Sequence, residues 1–325
     1  MKIGHLNLKN NLIFAPLAGF STPPIRDFFF NHGAGLCVTE MVSAKALLFD
    51  NQKTNQLLVC PPFQTPTSAQ LFGSDPDDFY NACQLLPLSD FDIIDINMGC
   101  PVKKIISNGE GSALMADPKR AEKIVQAVDL ANQELFKKTG KKRIVTVKTR
   151  LGIKNNTDCL SFVPLLEQAG AKMVTLHGRT QSQMYGGKAD YDLIKRVRGL
   201  IKIPLAANGD VTDLDSYKRI LDTGADGVMI GRGALLNPAI FLQIGQFNDG
   251  KCLKNEDKTF DKKALVLKLI FNMEQFFGAS KTCIDLRKFL PYFLKGIRGN
   301  KDSRRELFFC DDLKIVKSVL SKLEF

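Results

Sequence analysis

Three side chains in this sequence stand where their surroundings do not call for them. Cys100 ends the apolar run FDIIDINMG (91–99) and is followed by Pro101 and, after Val102, by Lys103 and Lys104. A cysteine kept for packing would fit the middle of such a run better than its end. Lys148 lies inside RIVTVKTR (143–150), among Ile, Val and Thr, where an ammonium must be paired or functional. His177 closes the run KMVTLHGR (172–179). The thiol has no histidine or carboxylate in its motif to activate it as a nucleophile. It needs none to donate a proton, because an ordinary thiol is protonated at neutral pH. A lysine and a histidine facing the same point make a cationic pair. Such a pair suits a ligand that gains negative charge during reaction, for example the N1–C2=O edge of a reduced flavin.

The elements that must carry these residues are legible as a repeat. Eight short apolar runs recur: 12–19, 36–43, 68–73, 91–99, 143–150, 172–179, 203–210 and 226–233. Helical patterns separate them. One starts at GSDPDDF (73–79) on Ser74 or Asp75, one at Asp117 with Pro118 in its first turn, and one spans 212–224 with Gly224 as its expected C-cap. Strand and helix alternating eight times imply a parallel sheet. The expected fold is an α/β (β/α)8 TIM barrel over residues 1–246. An open doubly wound sheet is the alternative, but the first run lacks the GxGxxG turn. The repeat stops near Gln246, and the polar stretch 247–263 reads as a linker. Three or four helices follow, so residues 247–325 read as a small all-helical domain.

A barrel presents its chemistry at the C-terminal ends of its strands. That rule gathers Pro16-Leu17-Ala18, Gln70, Asn97, Cys100, Lys148, His177, Arg179, Asn208-Gly209-Asp210 and Gly231-Arg232 around one mouth. The glycine turns after the seventh and eighth runs are either tight βα turns or a phosphate cradle of backbone N–H groups. The two together, in that order, favour a phosphorylated ligand. Gln70 would then supply hydrogen bonds to a ring.

Bulk properties narrow the classes. Hydrophobic residues at 44% and charged residues at 24% of 325 are ordinary for a soluble protein. No run approaches the roughly 20 apolar residues of a membrane helix, and the N-terminus does not read as a signal peptide. A cytoplasmic monomer is expected. Eight cysteines without a C-x-x-C pair, and only three histidines, argue against a metal site and a disulfide framework. The net charge is +11. Residues 241–325 carry 17 Lys/Arg against 11 Asp/Glu, so the basic character is densest in the helical part. That balance suits a polyanionic partner.

These stretches resemble the tRNA-dihydrouridine synthases, nearest to their bacterial B-type group. The resemblance rests on APLAGFSTPPIR, AQLFGSDPDDF, DINMGCPVKKI, GSALM, VKTRLG, LHGRTQSQMYGGKADYD, AANGDV and IGRGAL, in order from residue 15 to about 240, and more weakly on LRKFLPYFLKG (286–296). It implies an FMN-bound barrel, a helical tRNA-binding domain, NADPH or NADH as reductant, and reduction of the C5–C6 bond of uridines in tRNA. Cys100 takes the place of the proton donor to C5. Pro16-Leu17-Ala18, Gln70, Lys148, His177, Asn208-Gly209-Asp210 and Gly231-Arg232 take the places of flavin contacts. Asn97 falls beside flavin and base, and Arg179, Lys103, Lys104, Arg287 and Lys288 are expected against the RNA. Glu110 and Phe289 depart from the family pattern. Two other readings are a small-molecule FMN oxidoreductase resembling dihydroorotate dehydrogenase, which needs no basic tail, and a non-catalytic RNA-binding barrel.

Overall fold

The computed structural model describes residues 1–49, 51–61, 64–250, 260–297 and 301–323. The eight runs form β1 (Leu12–Phe14), β2 (Leu36–Ser43), β3 (Ser68–Phe72), β4 (Ile93–Met98), β5 (Ile144–Arg150), β6 (Val174–His177), β7 (Leu205–Asn208) and β8 (Gly227–Ile230). Each pairs in parallel with the next, and β8 pairs with β1, so the sheet closes into a barrel rather than staying open.

Strand alternation sorts the side chains. On β5, Val145 and Val147 join the outer apolar layer beneath the helices, while Ile144 meets Ile13, Leu36, Ile93, Ala206 and Met229 inside. An N-terminal hairpin, Lys2–Ile3 with Leu6–Asn7, adds Ile3 to that inner cluster and closes the barrel floor. Toward the strand C-termini the same inward positions turn polar. They carry Asp95 and Asn97 on β4, Thr146 and Lys148 on β5, and Thr175 and His177 on β6. The barrel is therefore an apolar plug with a polar mouth. A register shift between Val38 and Met41, where β2 pairs with β3, marks a bulge that brings Met41 level with Gln70.

Short-range chemistry sets the helices that hold this frame. Pro76–Cys83 starts on Asp75, whose carboxylate accepts from the Asp77 N–H. Pro118–Thr139 starts on Asp117, which accepts from the Arg120 N–H at 3.1 Å. Each such cap is worth about 1 kcal/mol. The helix Leu214–Leu221 stops earlier than expected: Asp222 is its C-cap, and Gly224, at φ 70°, serves the turn toward β8 instead.

Among the described residues, four helices follow the barrel: Lys262–Phe277, Ala279–Phe293, Lys301–Phe309 and Leu313–Lys322. Residues 251–259 of the linker lie outside the described residues. Lys262–Phe277 lies against Pro23–Asn31, and Ala279–Phe293 against Arg232–Leu236. Val266, Leu286 and Phe289 join the barrel's outer apolar cluster, so the helical part shares a continuous core with the barrel.

Candidate active site

A cavity of about 430 Å³ opens at the C-terminal ends of the strands. Pro16, Leu17, Ala18, Gln70, Asn97, Cys100, Lys148, His177, Asn208, Gly209, Asp210, Gly231 and Arg232 all line it. Its size suits a bound cofactor.

Cys100 is held on the cavity wall by its backbone. Asn97 Oδ1 accepts from the N–H groups of Gly99 (3.1 Å) and Cys100 (2.9 Å). The Cys100 carbonyl accepts from the Ser112 N–H (3.1 Å) and hydroxyl (2.8 Å). Arg150 Nε holds the Gly99 carbonyl at 2.7 Å. Gly111, at φ 59°, lies so close that a β-carbon there would come within 2.9 Å of the Cys100 carbonyl oxygen. Burial pushes the thiol above its ordinary pKa of 9.0, with the Val102 N–H and the charges of Arg150 and Lys148 opposing more weakly. The half-buried sulfur therefore carries its proton at neutral pH.

Lys148 has no hydrogen-bond or ion-pair partner among the described residues, which removes the structural salt bridge as its explanation. Burial, with repulsion from Arg150, holds its pKa down to about 8. Arg150 is itself held down to about 10 by burial. Burial, then Lys148, Arg150, Arg179 and Arg232, push His177 well below its ordinary 6.5. His177 is thus neutral at pH 7, and the cationic pair expected from sequence is a single cation beside an imidazole. Arg179 Nη1 faces His177 Nε2 at 3.4 Å. A guanidinium only donates, so Nε2 accepts and the ring proton resides on Nδ1. The positive groups repel one another, and Asp210, the one acid on the lining, is already committed. An anionic ligand would relieve that repulsion, so the donor set fits a phosphorylated flavin.

Arg179, expected against the RNA, is buried away from the lining. Its Nη2 spans both carboxylate oxygens of Asp210 at 2.8 Å, and it also donates to the Gly186 and Gly187 carbonyls. Asp210 needs this support, since it sits at φ 59°, a left-handed conformation that costs a non-glycine residue of order 1 kcal/mol. Ala189 N–H binds the same carboxylate. Gly209, at φ 129°, has no room for a side chain: a β-carbon would meet Ala189 at 2.9 Å and His177 at 3.2 Å. Asn208 is tied to the Met229 carbonyl at 2.8 Å.

Several lining residues escaped the sequence reading. Tyr185 is 52% exposed at the rim, with the Arg232 guanidinium 4.8 Å and that of Arg150 5.8 Å from its ring centroid. Tyr292 enters from the helix Ala279–Phe293 and packs edge-on to Phe20 at 5.5 Å. The sequence signal was present in LRKFLPYFLKG, but Tyr292 reads as core there with Phe289 and Phe293; those two are buried.

Lys103 and Lys104 are exposed on the short helix Lys103–Ile106 beside Cys100, and neither side chain has a partner among the described residues. Glu110, in the loop that follows, is half-buried, held by Asn108 and drawn toward Lys45. Arg287 pairs with Asp311 at 2.5 Å. Lys288 pairs with Asp285 at 3.0 Å and approaches Gly19, whose N–H binds buried Glu40. Both are therefore engaged within the protein, and Lys288 lies close to the β1 loop. Arg298 and the side chains of Lys301 and Arg304 lie outside the described residues.

Among solved structures, histamine dehydrogenase from Rhizobium sp. 4-9 superposes with a TM-score of 0.61 at 16% identity, covering 84% of this chain and 50% of that one. Dihydroorotate dehydrogenase from Eimeria tenella superposes at 0.55 with 14% identity, covering 78% and 85%. At such identities these matches speak for the barrel alone. Sequence relatives are nearer. A tRNA-dihydrouridine synthase B of Pasteurella multocida is 37% identical over 303 residues, 92% of this chain and 88% of that protein. One from Vibrio parahaemolyticus is 38% identical over 307 residues, 94% and 92%. Residues 13–323 match the dihydrouridine synthase family model. With Cys100, Lys148 and His177 set around one barrel mouth, the chain belongs to the dihydrouridine synthase family.

Proposed function

We propose that this chain is a flavin-dependent tRNA-dihydrouridine synthase, which reduces the C5–C6 double bond of uridines in tRNA. The observation that carries this reading is Cys100, on a turn clamped through its backbone, lining the same cavity as the unpaired Lys148. FMN bound in this cavity, with NADPH or NADH as its reductant, would supply hydride chemistry toward C6 of the uracil. The turns Asn208–Asp210 and Gly231–Arg232 would hold its phosphate. Pro16, Leu17 and Ala18 would pack on its ring, and Gln70, Lys148 and His177 would face the ring's polar edge. Cys100 holds a proton at Sγ and delivers it to C5. Asn97 keeps the turn that carries the thiol in place.

A uracil within folded RNA must leave its stack to enter this cavity. The rim provides aromatic surface for it in Tyr185 and Tyr292. Residues 1–246 act as the catalytic barrel and 247–325 as the tRNA-binding part, in a cytoplasmic monomer. No helix among the described residues is long and apolar enough to cross a membrane.

We read Lys103 and Lys104, exposed on the helix beside Cys100, as contacts for RNA phosphates. Replacing both by Glu should weaken tRNA binding and lower the slope of log affinity against log salt by about two, the contribution of two phosphate contacts. Flavin content should not change. Filter binding across a salt series measures this, and unchanged tRNA affinity would refute the contact.

The function is tested by purification and complementation. The protein should be yellow with flavin absorbance, and should restore dihydrouridine to tRNA of a strain deleted for its own synthases. A colourless protein that restores nothing would refute the reading. NADPH-dependent turnover of a free pyrimidine without RNA would favour a small-molecule oxidoreductase instead.

A further inference from the structure

Asp95 is 2% exposed and lies two residues before Asn97 on the inward face of β4. Strand register sets Gln70 of β3 and Thr146 of β5 directly beside it. Both carboxylate oxygens are engaged: Thr146 Oγ1 donates to Oδ1 at 2.6 Å, and Gln70 Nε2 donates to Oδ2 at 2.7 Å. The row continues upward. Asn97 Nδ2 donates to Gln70 Oε1 at 2.8 Å, and Asn97 Oδ1 receives the N–H groups of Gly99 and Cys100. Every donor in this row points toward Asp95.

That polarity has one physical origin at each end. Backbone N–H groups only donate, so Asn97 must turn its oxygen to Cys100 and its NH2 to Gln70. Gln70 must then turn its oxygen to Asn97 and its NH2 downward, where only an acceptor can meet it. Asp95 is that acceptor. Burial favours its protonated form, opposed by the bonds from Thr146 and Gln70 and by the charge of Lys148. The row survives either state, because the Thr146 hydroxyl can accept a proton carried on Oδ1 while Oδ2 still accepts from Gln70. Chains of aligned hydrogen bonds reinforce one another in a low-dielectric interior.

We propose that Asp95 is a positioning residue for the Cys100 thiol: acting through Gln70 and Asn97, it fixes the backbone turn that carries the sulfur. The same bond leaves Gln70 with one N–H uncommitted among the described residues, so Gln70 offers the cavity a donor and selects a ligand edge that accepts. The proposal rests on the reading of Cys100 as proton donor.

The test compares Asp95→Leu with Asp95→Asn. Leu removes the acceptor. Asn keeps an oxygen for Gln70 by turning its amide NH2 onto the Thr146 hydroxyl. Peptide-resolved alkylation of Cys100, followed by mass spectrometry with and without flavin, reports on the turn independently of turnover. Asp95→Leu should be alkylated several-fold faster than wild type. Its kcat for tRNA reduction should fall about a hundredfold, the scale for a misplaced reacting group, with KM for tRNA unchanged. Asp95→Asn should restore both. If Asp95→Leu does not fold, Gln70→Met cuts the same row one link on and should show the same faster alkylation. Wild-type alkylation in the folded variant, or equal losses in the Asn and Leu variants, would overturn the proposal. A wild-type protein that makes no dihydrouridine would overturn the proposed function, while alkylation would still test the row.

Discussion

Cys100→Ala should bind flavin and accept electrons from its reductant at wild-type rates, yet lose between about 10² and 10⁴ of its dihydrouridine turnover, the usual worth of a positioned general acid. The expectation follows from where the proton sits. Burial raises the thiol pKa above 9.0, and the Val102 N–H and the charges of Arg150 and Lys148 only moderate it. The acid form is thus present throughout the neutral range without any partner to generate it. Ala removes the proton while leaving the clamp from Asn97 and Ser112, which grips only backbone atoms. Cys100→Ser should be intermediate, because a hydroxyl is a weaker acid held at the same point. The pH profile has a matching sign: turnover limited by this proton should hold from neutrality to about the ordinary thiol value and fall only above it. Steady-state turnover on tRNA beside stopped-flow flavin reduction checks these points. A Cys100→Ala enzyme within tenfold of wild type would remove the thiol from the chemistry.

Lys148→Met should weaken flavin binding by roughly tenfold to a hundredfold, the cost of one hydrogen bond to a charged group. It should also remove a pH dependence. Lys148 titrates at about 8 in the folded protein against 10.5 ordinarily. Between those values the unfolded chain holds a proton that the folded chain has released, so in the flavin-free protein this residue makes stability rise with pH across that window. A ring-edge acceptor bonded to the ammonium, with the phosphate's charge in the same cavity, favours the charged form and raises its pKa again. Flavin binding should therefore take up a proton near pH 8, and affinity should fall as the pH rises through that value. Calorimetric titrations in buffers of different ionisation enthalpy measure the uptake directly. In Lys148→Met the uptake should vanish and affinity should become flat between pH 7 and 9. Identical proton uptake in the variant would assign it to another group.

Much of this site was legible before the fold was known, because strand alternation is a strong signal. A lysine in RIVTVKTR and a cysteine after FDIIDINMG conflict with their neighbours, and both lie at the cavity. Asp95 carries the same signal, an acid within an apolar strand, but its role lies in bonds to neighbouring strands that its own segment does not show. What alternation cannot supply is register. The row from Asp95 to Cys100 exists only because β3, β4 and β5 align Gln70, Asp95 and Thr146. The inward turn of Met41 depends on a bulge that leaves no mark in the sequence. The pairing of Arg179 with Asp210 joins residues 31 positions apart, and with it an expected RNA contact became a support for a strained turn. The neutral state of His177 likewise depends on its burial and on four cations converging on one ring, two from β5 and one each from the loop after β6 and the helix Arg232–Leu236. Tyr292 illustrates the limit in the helical part. Periodicity placed it on an apolar face, and only the docking of that helix on Arg232–Leu236 turns its ring into the cavity.

The central claim is that this cavity reduces uridine within tRNA using the proton on Cys100. A single turnover of flavin-reduced wild-type protein with an unmodified tRNA transcript, without oxygen, tests it most directly, with the digested nucleosides read by mass spectrometry. The expected result is dihydrouridine, two hydrogens heavier than uridine, appearing in step with flavin reoxidation and in amounts matching the flavin present. Flavin that stays reduced in the presence of tRNA, or reoxidises without any dihydrouridine being formed, would contradict the account.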